Sequence, residues 1–193
     1  MNRLAEFIRS LFTDIRTNAA KRNRAVLFVV YVLAAFIILV IGAYRIAFSP
    51  YESRKLYFYD SGTGKTASER QQVLRDTNSL ARIKRAVEAI RNGPVRPQLM
   101  RLVPYEANVK NIFVTKEGML IIDFDENFFL HIEDGRAVLT IESILRTVFA
   151  NFGFIREVRI VVNEHPIGTL DGVVNLSRAF TREDLHKQPF RKK

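Results

Sequence analysis

The 193-residue sequence contains no cysteine. This absence excludes a disulfide framework, a thiol nucleophile, a zinc site built on cysteine and a lipoprotein-type acylated cysteine. Histidine is also scarce, because only His131, His165 and His186 are present, and they are widely spaced with no helical i, i+4 pairing. The sequence therefore gives little support for a metal site, and we expect no cofactor.

One long segment lacks charged residues. Residues 25–44 read AVLFVVYVLAAFIILVIGAY, and about 20 apolar residues are what a helix needs to cross roughly 30 Å of hydrocarbon. A core helix of that length in a globular protein shows a polar face, and this segment shows none. The sequence predicts a transmembrane helix over residues 25–45, in contact with the lipid bilayer. Its representative positions are Ala25, Val30, Phe36, Val40 and Tyr44.

The charges that flank this span predict its orientation. Lys21, Arg22 and Arg24 crowd its N-terminal edge, whereas Arg45 alone stands directly at the other edge. Cytoplasmic flanks carry the excess of Lys and Arg, so the N-terminus is expected inside the cell. No A-x-A-like cleavage site follows the apolar run, which favours an uncleaved signal anchor. The prediction is a single-pass protein of the cytoplasmic (inner) membrane with a periplasmic or extracellular domain.

Residues 1–24 form a basic cytoplasmic segment with a helical apolar pattern. The pattern predicts a short amphipathic helix, for which two roles remain open. The helix either lies in the inner headgroup layer with its arginines toward anionic lipid, or docks against a partner helix. The apolar positions are Leu4, Phe7, Ile8, Leu11, Phe12 and Ile15.

The net charge of +10 is concentrated at the two ends of the chain. Residues 1–24 carry six basic and two acidic side chains, and residues 181–193 form a second basic tail. The part between the span and the tail is nearly balanced. Two basic ends on a balanced domain do not favour a nucleic-acid partner, and none is predicted.

The first half of the outer domain is expected to contain two strands followed by a helix. Residues 46–54 contain a proline and polar side chains, which favours a linker. Strands are predicted over residues 55–60 and 67–74, around a turn rich in glycine. A helix then begins near residues 77–79, and Asn92-Gly93-Pro94 ends it. Its apolar stripe consists of Leu80, Ile83, Val87 and Ile90.

The second half is predicted to contain a hairpin, a helix and a strand. The hairpin strands are residues 109–115 and 119–124, with Gly118 able to take a positive φ between them. A helix follows over residues 136–151, with Gly153 just past its end. A last strand covers residues 157–162. This order predicts an α+β fold, in which two helices pack on one face of a mostly antiparallel sheet.

Two segments resemble catalytic or metal-binding motifs, but both depart from them. SGTGKT at residues 61–66 has Tyr59 where a phosphate-binding loop needs its first glycine, and Asp60 places a carboxylate where phosphate would lie. A calcium-loop pattern begins at Asp123, but its sixth position is Phe128 and its twelfth is Asp134. No nucleophile, base and acid set stands out, so we expect no enzyme.

The order of these segments resembles the GerMN domain of spore-germination GerM-like proteins. KLYFYD, a helix ending in AIRNGP, the hairpin ending in LIIDF, the helix SILRTVFANFGF, the strand REVRIVV and GTLDGVVNLSRAF follow one another over residues 55–180. Residues 163–166 depart from the family, which often has a glycine after the last strand. The positions assigned to its motif are Gly93, Pro94, Gly118, Asp123, Thr147 and Gly153.

This resemblance implies a non-catalytic envelope module, similar in fold to the ring-building domains of secretion and sporulation channels. The first hypothesis is a membrane-anchored scaffold or assembly protein that contacts other copies or envelope assembly proteins. Its role would be related to sporulation or germination, or it would be part of an envelope-spanning ring complex. The alternative is a module that binds peptidoglycan or an envelope polyanion through residues 187–193 and the arginines of the first domain helix. The candidate assembly edge contains Val109, Ile112 and Val114.

Overall fold

The computed structural model describes residues 19–133 and 135–185. Contacts divide the chain into two compact units, Met1–Ser49 and Pro50–Lys193. The amphipathic helix predicted over residues 4–15, Asp134, His186 and the basic residues 187–193 lie outside the described residues. Each unit is considered by itself below.

In the first unit, the described residues 19–49 contain one helix, α1, which covers Ala19–Ala47. Within it, Val26–Arg45 has a mean hydropathy of 3.1, and these 20 residues span about 30 Å along a helix axis. Val30, Phe36, Val40 and Tyr44 expose half or more of their surface. The helix is therefore long and apolar enough to cross a membrane, as an anchor or as a signal sequence. Helix α1 includes Lys21, Arg22 and Ala25, whose side chains are outside the described set, and Arg24, which is exposed.

The second unit opens with a hairpin of two ten-residue strands, β1 (Tyr51–Asp60) and β2 (Lys65–Leu74). The first strand begins inside the segment predicted as a linker, residues 46–54. That boundary was wrong because the polar residues Glu52 and Arg54 bind each other on the inward face of the strand, so polarity there does not prevent strand pairing. A two-residue strand, β3 (Leu99–Met100), pairs with the far end of β1.

Helix α2 (Ser79–Asn92) follows this hairpin. Asn78 is the N-cap, and its side chain accepts a hydrogen bond from the Leu80 N–H at 2.9 Å. Gly93 takes a φ of 97° just after the last turn, where an L side chain would be strained. The predicted apolar stripe packs inward, with Leu80 partly buried and Ile83, Val87 and Ile90 fully buried.

The remaining elements form a second sheet, a small hairpin and two helices. Their bounds are β4 Val109–Val114, β5 Met119–Phe124, α3 Asn127–Leu130, α4 Ala137–Asn151, β6 Glu157–Val162, β7 His165–Pro166, β8 Thr169–Leu170, β9 Val174–Asn175 and β10 Phe180–Thr181, followed by a 3₁₀ turn at Glu183–Leu185. The second sheet runs in the order β10, β6, β5, β4, and β7 also pairs with β6. Among the described strands only β5 and β6 pair in parallel, because helices α3 and α4 lie between them in the chain. A small separate hairpin joins β8 and β9.

The fold is α+β, as predicted, but the strands divide between two main sheets rather than forming one. Helix α4 packs on β1, and α2 contacts both β1 and β4, so the helices join the two sheets around one core. Phe124 and Phe128 stack in this core with ring centroids 4.2 Å apart. Gly153 follows α4 in sequence without a positive φ, so it is not the left-handed cap expected from its position.

The turn between β6 and β7 contains no glycine, and it closes nonetheless. Asn163 and Glu164 take φ values of 50° and 67°, which give a two-residue hairpin turn of the type that glycine usually occupies. Glu164 is held there because its N–H donates to Asp123 Oδ1 at 2.9 Å. The departure from the family pattern at residues 163–166 therefore keeps the hairpin.

Candidate assembly surface

Strand β4 is the outermost described strand of its sheet, and among the described residues it has a strand partner on one side only. The side chains of Val109 and Ile112 nevertheless point into the core, where they are 5% and 9% exposed, and Val114 is partly buried against the same core. The predicted edge residues therefore support the strand from inside. Lys110 and Phe113 are the exposed side chains of β4.

The edge of β4 also carries features that discourage strand addition. The pairing with β5 shifts register between Val109 and Asn111, which is a bulge. Lys84 on α2 donates from Nζ to the Lys110 carbonyl at 3.4 Å. Bulges and edge lysines are common means by which proteins block edge-to-edge pairing. The backbone edge is thus a weaker contact candidate than the face beside it.

That face presents a row of three side chains on the side of the sheet away from the core. Phe113, Ile121 and Arg159 are aligned across β4, β5 and β6 by the strand register, and we call them the Phe113 row. Phe113 is 55% exposed, and the other two are half-buried. Arg159 Nε is buried and has no hydrogen-bond partner among the described residues. An exposed ring beside an unused donor is typical of a protein contact site.

The matched glycine and proline after α2 place a loop against the edge of β2. Glu69 on β2, 8% exposed, accepts hydrogen bonds from the Val95 and Arg96 N–H groups at 2.9 Å each. Gly93 turns the chain so that these amides face the carboxylate. Burial raises the pKa of Glu69, but hydrogen bonds from Gln71 and the two amides outweigh it and keep the pKa below its usual value. The loop covers part of the β2 edge.

Thr147 completes the hydrogen bonding of β1. The inner edge of this strand has no neighbouring strand at Lys55 and Tyr57, and side chains of α4 bind it instead. Thr147 Oγ1 accepts from the Tyr57 N–H at 3.0 Å, and Asn151 Oδ1 accepts from the Lys55 N–H at 3.0 Å. Ser143 donates to the Tyr57 carbonyl. The helix thus provides a polar ladder for β1, spaced four residues apart.

Replacing Thr147 by valine should lower the free energy of unfolding by about 1–3 kcal/mol, because the Tyr57 N–H would be left buried without an acceptor. Chemical denaturation monitored by circular dichroism measures the change. Thr169→Val is the matched control, since Thr169 is exposed on β8 and should change stability by less than about 0.5 kcal/mol. Equal effects of the two substitutions would contradict this role of Thr147.

The sequence analysis did not predict the cluster of one carboxylate and two arginines at the start of β1, formed by Glu52, Arg54 and Arg82. Glu52 accepts from Arg54 Nε at 2.9 Å and Arg82 Nη2 at 2.7 Å, while the Arg54 guanidinium lies 4.8 Å from the Phe152 ring. Burial raises the pKa of Glu52, but these arginine hydrogen bonds lower it further than burial raises it. The signal in the sequence that could have indicated this cluster is an acidic residue at an inward-facing strand position, as also occurs at Glu69.

In the two segments that resembled phosphate and calcium sites, the carboxylates accept hydrogen bonds from the domain itself. The Asp60 carboxylate accepts from the Gly62 N–H at 2.9 Å and so occupies the turn where phosphate would bind. Asp125 accepts from both the backbone and the side chain of Asn108, whereas Asp123 binds the turn at Glu164. Within the described part of the chain, no three His, Asp or Glu side chains are grouped as metal ligands require.

One cleft of about 480 Å³ lies between residues 100–106 and 131–136. Its rim carries Arg101, Glu106 and His131, and Arg136 is paired with Glu133 at 2.8 Å. The mixed charges and the internal ion pair do not select a ligand of one sign.

The arginines of α2 are largely engaged within the domain. Arg82 is held by Glu52, Arg85 lies 3.7 Å from Glu88, and Arg91 donates to Asn108 Oδ1 at 2.6 Å. These contacts weaken the hypothesis that α2 binds a polyanion.

The fold of the second unit is that of a GerMN domain. The tandem GerMN domains of the sporulation protein GerM from Bacillus subtilis match with a TM-score of 0.60 and 23% identity, over 69% of this chain and 47% of that one. The first GerMN domain of the same protein matches with a TM-score of 0.57 and 24% identity, over 69% and 99%. A putative lipoprotein from Clostridium perfringens matches with a TM-score of 0.50 and 20% identity, over 71% and 91%.

The family itself is shown by sequence. The Germane family model, described as sporulation and spore germination, matches residues 55–168, and the chain belongs to this family. No curated protein matches the chain. The chain spans about half the length of the tandem GerM structure, which holds two domains.

Proposed function

We propose that this protein is a membrane-anchored, non-catalytic scaffold that contributes to an envelope assembly related to sporulation or germination. The observation that carries the proposal is the presence in one chain of a GerMN domain and a helix whose 20-residue segment Val26–Arg45 is apolar enough to cross a membrane. The basic flank at Lys21, Arg22 and Arg24 supports a cytoplasmic N-terminus, with the domain outside. Its partners are other copies or envelope assembly proteins.

The Phe113 row is the contact surface that we assign to this function. It combines an exposed aromatic ring, an aliphatic side chain and a guanidinium, and aromatic and arginine side chains are enriched at the centres of protein interfaces. The predicted edge residues Val109, Ile112 and Val114 support it from the core side.

A photo-crosslinking amino acid placed at Phe113 or Lys110 in cells should therefore yield adducts with a second copy or an envelope protein. The control position is Val95, which is 79% exposed in the loop after α2 and should yield few adducts. Mass spectrometry of the adducts identifies the partner. Adducts at all three positions alike, or none at any of them, would argue against the Phe113 row as an assembly surface.

Binding of peptidoglycan or an envelope polyanion remains the second candidate. Residues 187–193 would contribute its basic groups, because those of α2 are engaged within the domain. Its distinguishing result is salt-sensitive retention on purified wall that is lost when the basic tail is removed.

A further inference from the structure

The exposed side of the β1–β2 hairpin has an unusual composition near the start of the domain. Six residues point outward there in three directly opposed pairs, and all six are exposed. We call this set the hairpin face. Its pairs are Tyr51 with Leu74, Ser53 with Gln72, and Lys55 with Arg70.

Acidic side chains are absent from the outward positions of both strands. Glu52 and Glu69 point to the opposite side, where Arg54, Arg82 and the amides of the loop after α2 bind them. The carboxylates of the hairpin are thus used inside the domain. The cations of the hairpin face are left without carboxylate neighbours on their own strands.

Lys55 and Arg70 stand directly opposite each other, and like charges in such a pair disfavour the sheet. Neither forms an ion pair with any described residue. The Lys55 ammonium lies 5.4 Å from the Tyr57 ring, a contact that leaves its charge uncompensated. An external anionic surface would stabilise this pair, since no acidic side chain among the described residues forms an ion pair with either cation.

The first pair of the hairpin face, at the start of the domain, places the aromatic side chain of Tyr51 opposite the aliphatic side chain of Leu74. Tyr51 is 54% exposed and Leu74 is 43% exposed. Only residues 48–50 separate this strand from the apolar helix α1 in the chain. Tyrosine, leucine and basic side chains together are typical of the membrane interface.

We propose that the hairpin face docks on the anionic lipid surface of the membrane that α1 crosses. Tyr51 and Leu74 enter the headgroup layer, and Lys55 and Arg70 bind lipid phosphates. The domain is then held against the bilayer in one orientation, which directs the opposite parts of its surface away from the lipid. This inference rests on the proposed function, because it requires that α1 spans the membrane.

The test uses the full chain in vesicles of phosphatidylcholine with about 30% phosphatidylglycerol, compared with phosphatidylcholine alone. Because the chain has no cysteine, Ser53→Cys carries a single fluorophore on the hairpin face, and Ser177→Cys carries it on an exposed control serine. Quenching by a lipid with a spin-labelled headgroup reports proximity to the membrane. Quenching at position 53 should be about threefold or more greater than at 177, in the anionic vesicles.

The charge requirement is tested in the same vesicles. Lys55→Glu with Arg70→Glu should reduce docking about tenfold or more, and about 0.5 M salt should act in the same direction. Arg101→Glu with Lys116→Glu changes the net charge equally at exposed positions outside the hairpin face and should leave the quenching at 53 unchanged. Circular dichroism confirms that both variants fold.

Three outcomes would overturn the proposal. Equal quenching at positions 53 and 177 with α1 inserted rejects docking but leaves the proposed function intact. Enhanced fluorescence at position 53 with a soluble anionic wall polymer, without lipid quenching, assigns the face to that polymer. A label at Leu33→Cys that reacts with an aqueous reagent shows that α1 has not inserted, and this result rejects the proposed function together with the docking.

Discussion

Replacing Gly118 by alanine is expected to lower the free energy of unfolding by about 2–4 kcal/mol, because two costs combine. The residue takes a φ of 89°, which disfavours any L side chain. A Cβ at this position would lie 2.8 Å from the Phe154 carbonyl oxygen, which is backbone and cannot rotate away. The carbonyl of Gly118 itself accepts a hydrogen bond from the Arg156 N–H at 2.9 Å. A movement of the turn that relieved the contact would also break this bond.

Thermal or chemical denaturation of the purified chain measures this effect. Gly64→Ala is the matched control, since Gly64 has a φ of 68° but a Cβ there would meet no atom within 4 Å. It carries the conformational cost alone, about 1 kcal/mol. If the two substitutions cost the same, the close contact with Phe154 contributes nothing and our explanation of the matched glycine is wrong.

Replacing Glu69 by alanine is expected to cost about 2–4 kcal/mol, because one buried carboxylate is the acceptor for several donors. The Val95 and Arg96 amides would lose this acceptor, and Gln71 Nε2 would keep only its hydrogen bond to the Gly93 carbonyl. The loop after α2 should then detach from β2. Hydrogen exchange of the Val95 and Arg96 amides should accelerate more than that of the amides in α2.

Glu88→Ala provides the control for this substitution. Glu88 forms only a 3.7 Å ion pair with Arg85 on the helix surface, and such pairs contribute about 0.5 kcal/mol or less. Unchanged exchange at Val95 and Arg96 in the Glu69 variant would contradict the role of this carboxylate in holding the loop.

Regular apolar patterns allowed much of the fold to be predicted from sequence. Strand β5 has the predicted bounds, because its apolar run ends at Asp123 and Phe124 and a turn with Gly118 precedes it. Helix α2 begins and ends where Asn78 and Gly93 indicate. Local capping chemistry and periodicity decide these elements, and both are visible in a single sequence.

The errors arose where a tertiary partner decides the structure. The start of β1 was predicted too late because the polar residues there are compensated inside the domain, where Glu52 binds both Arg54 and, from α2, Arg82. The division into two sheets depends on side chains of α4 that replace a strand beside Tyr57. The resemblance identified Thr147, but periodicity does not reveal which backbone group it binds.

The predicted assembly edge illustrates a further difficulty. A sequence indicates which strand is apolar, but the order of strands decides whether that strand is outermost. In β4 the core buries two of the predicted edge residues, Val109 and Ile112, so the exposed contact groups are their neighbours. The Phe113 row requires a register across three strands, which is information that the sequence does not display.

The central claim, a GerMN domain held outside the membrane by an uncleaved anchor, is tested most directly by cysteine accessibility in intact cells. The cysteine-free chain permits single substitutions at Ser10 in the N-terminal segment and Thr63 in the exposed β1–β2 turn. A membrane-impermeant maleimide should label Thr63→Cys in intact cells and Ser10→Cys only after lysis, with both on the full-length, membrane-bound chain. Labelling of Ser10→Cys alone in intact cells, or a shortened chain released from the membrane, would contradict the account.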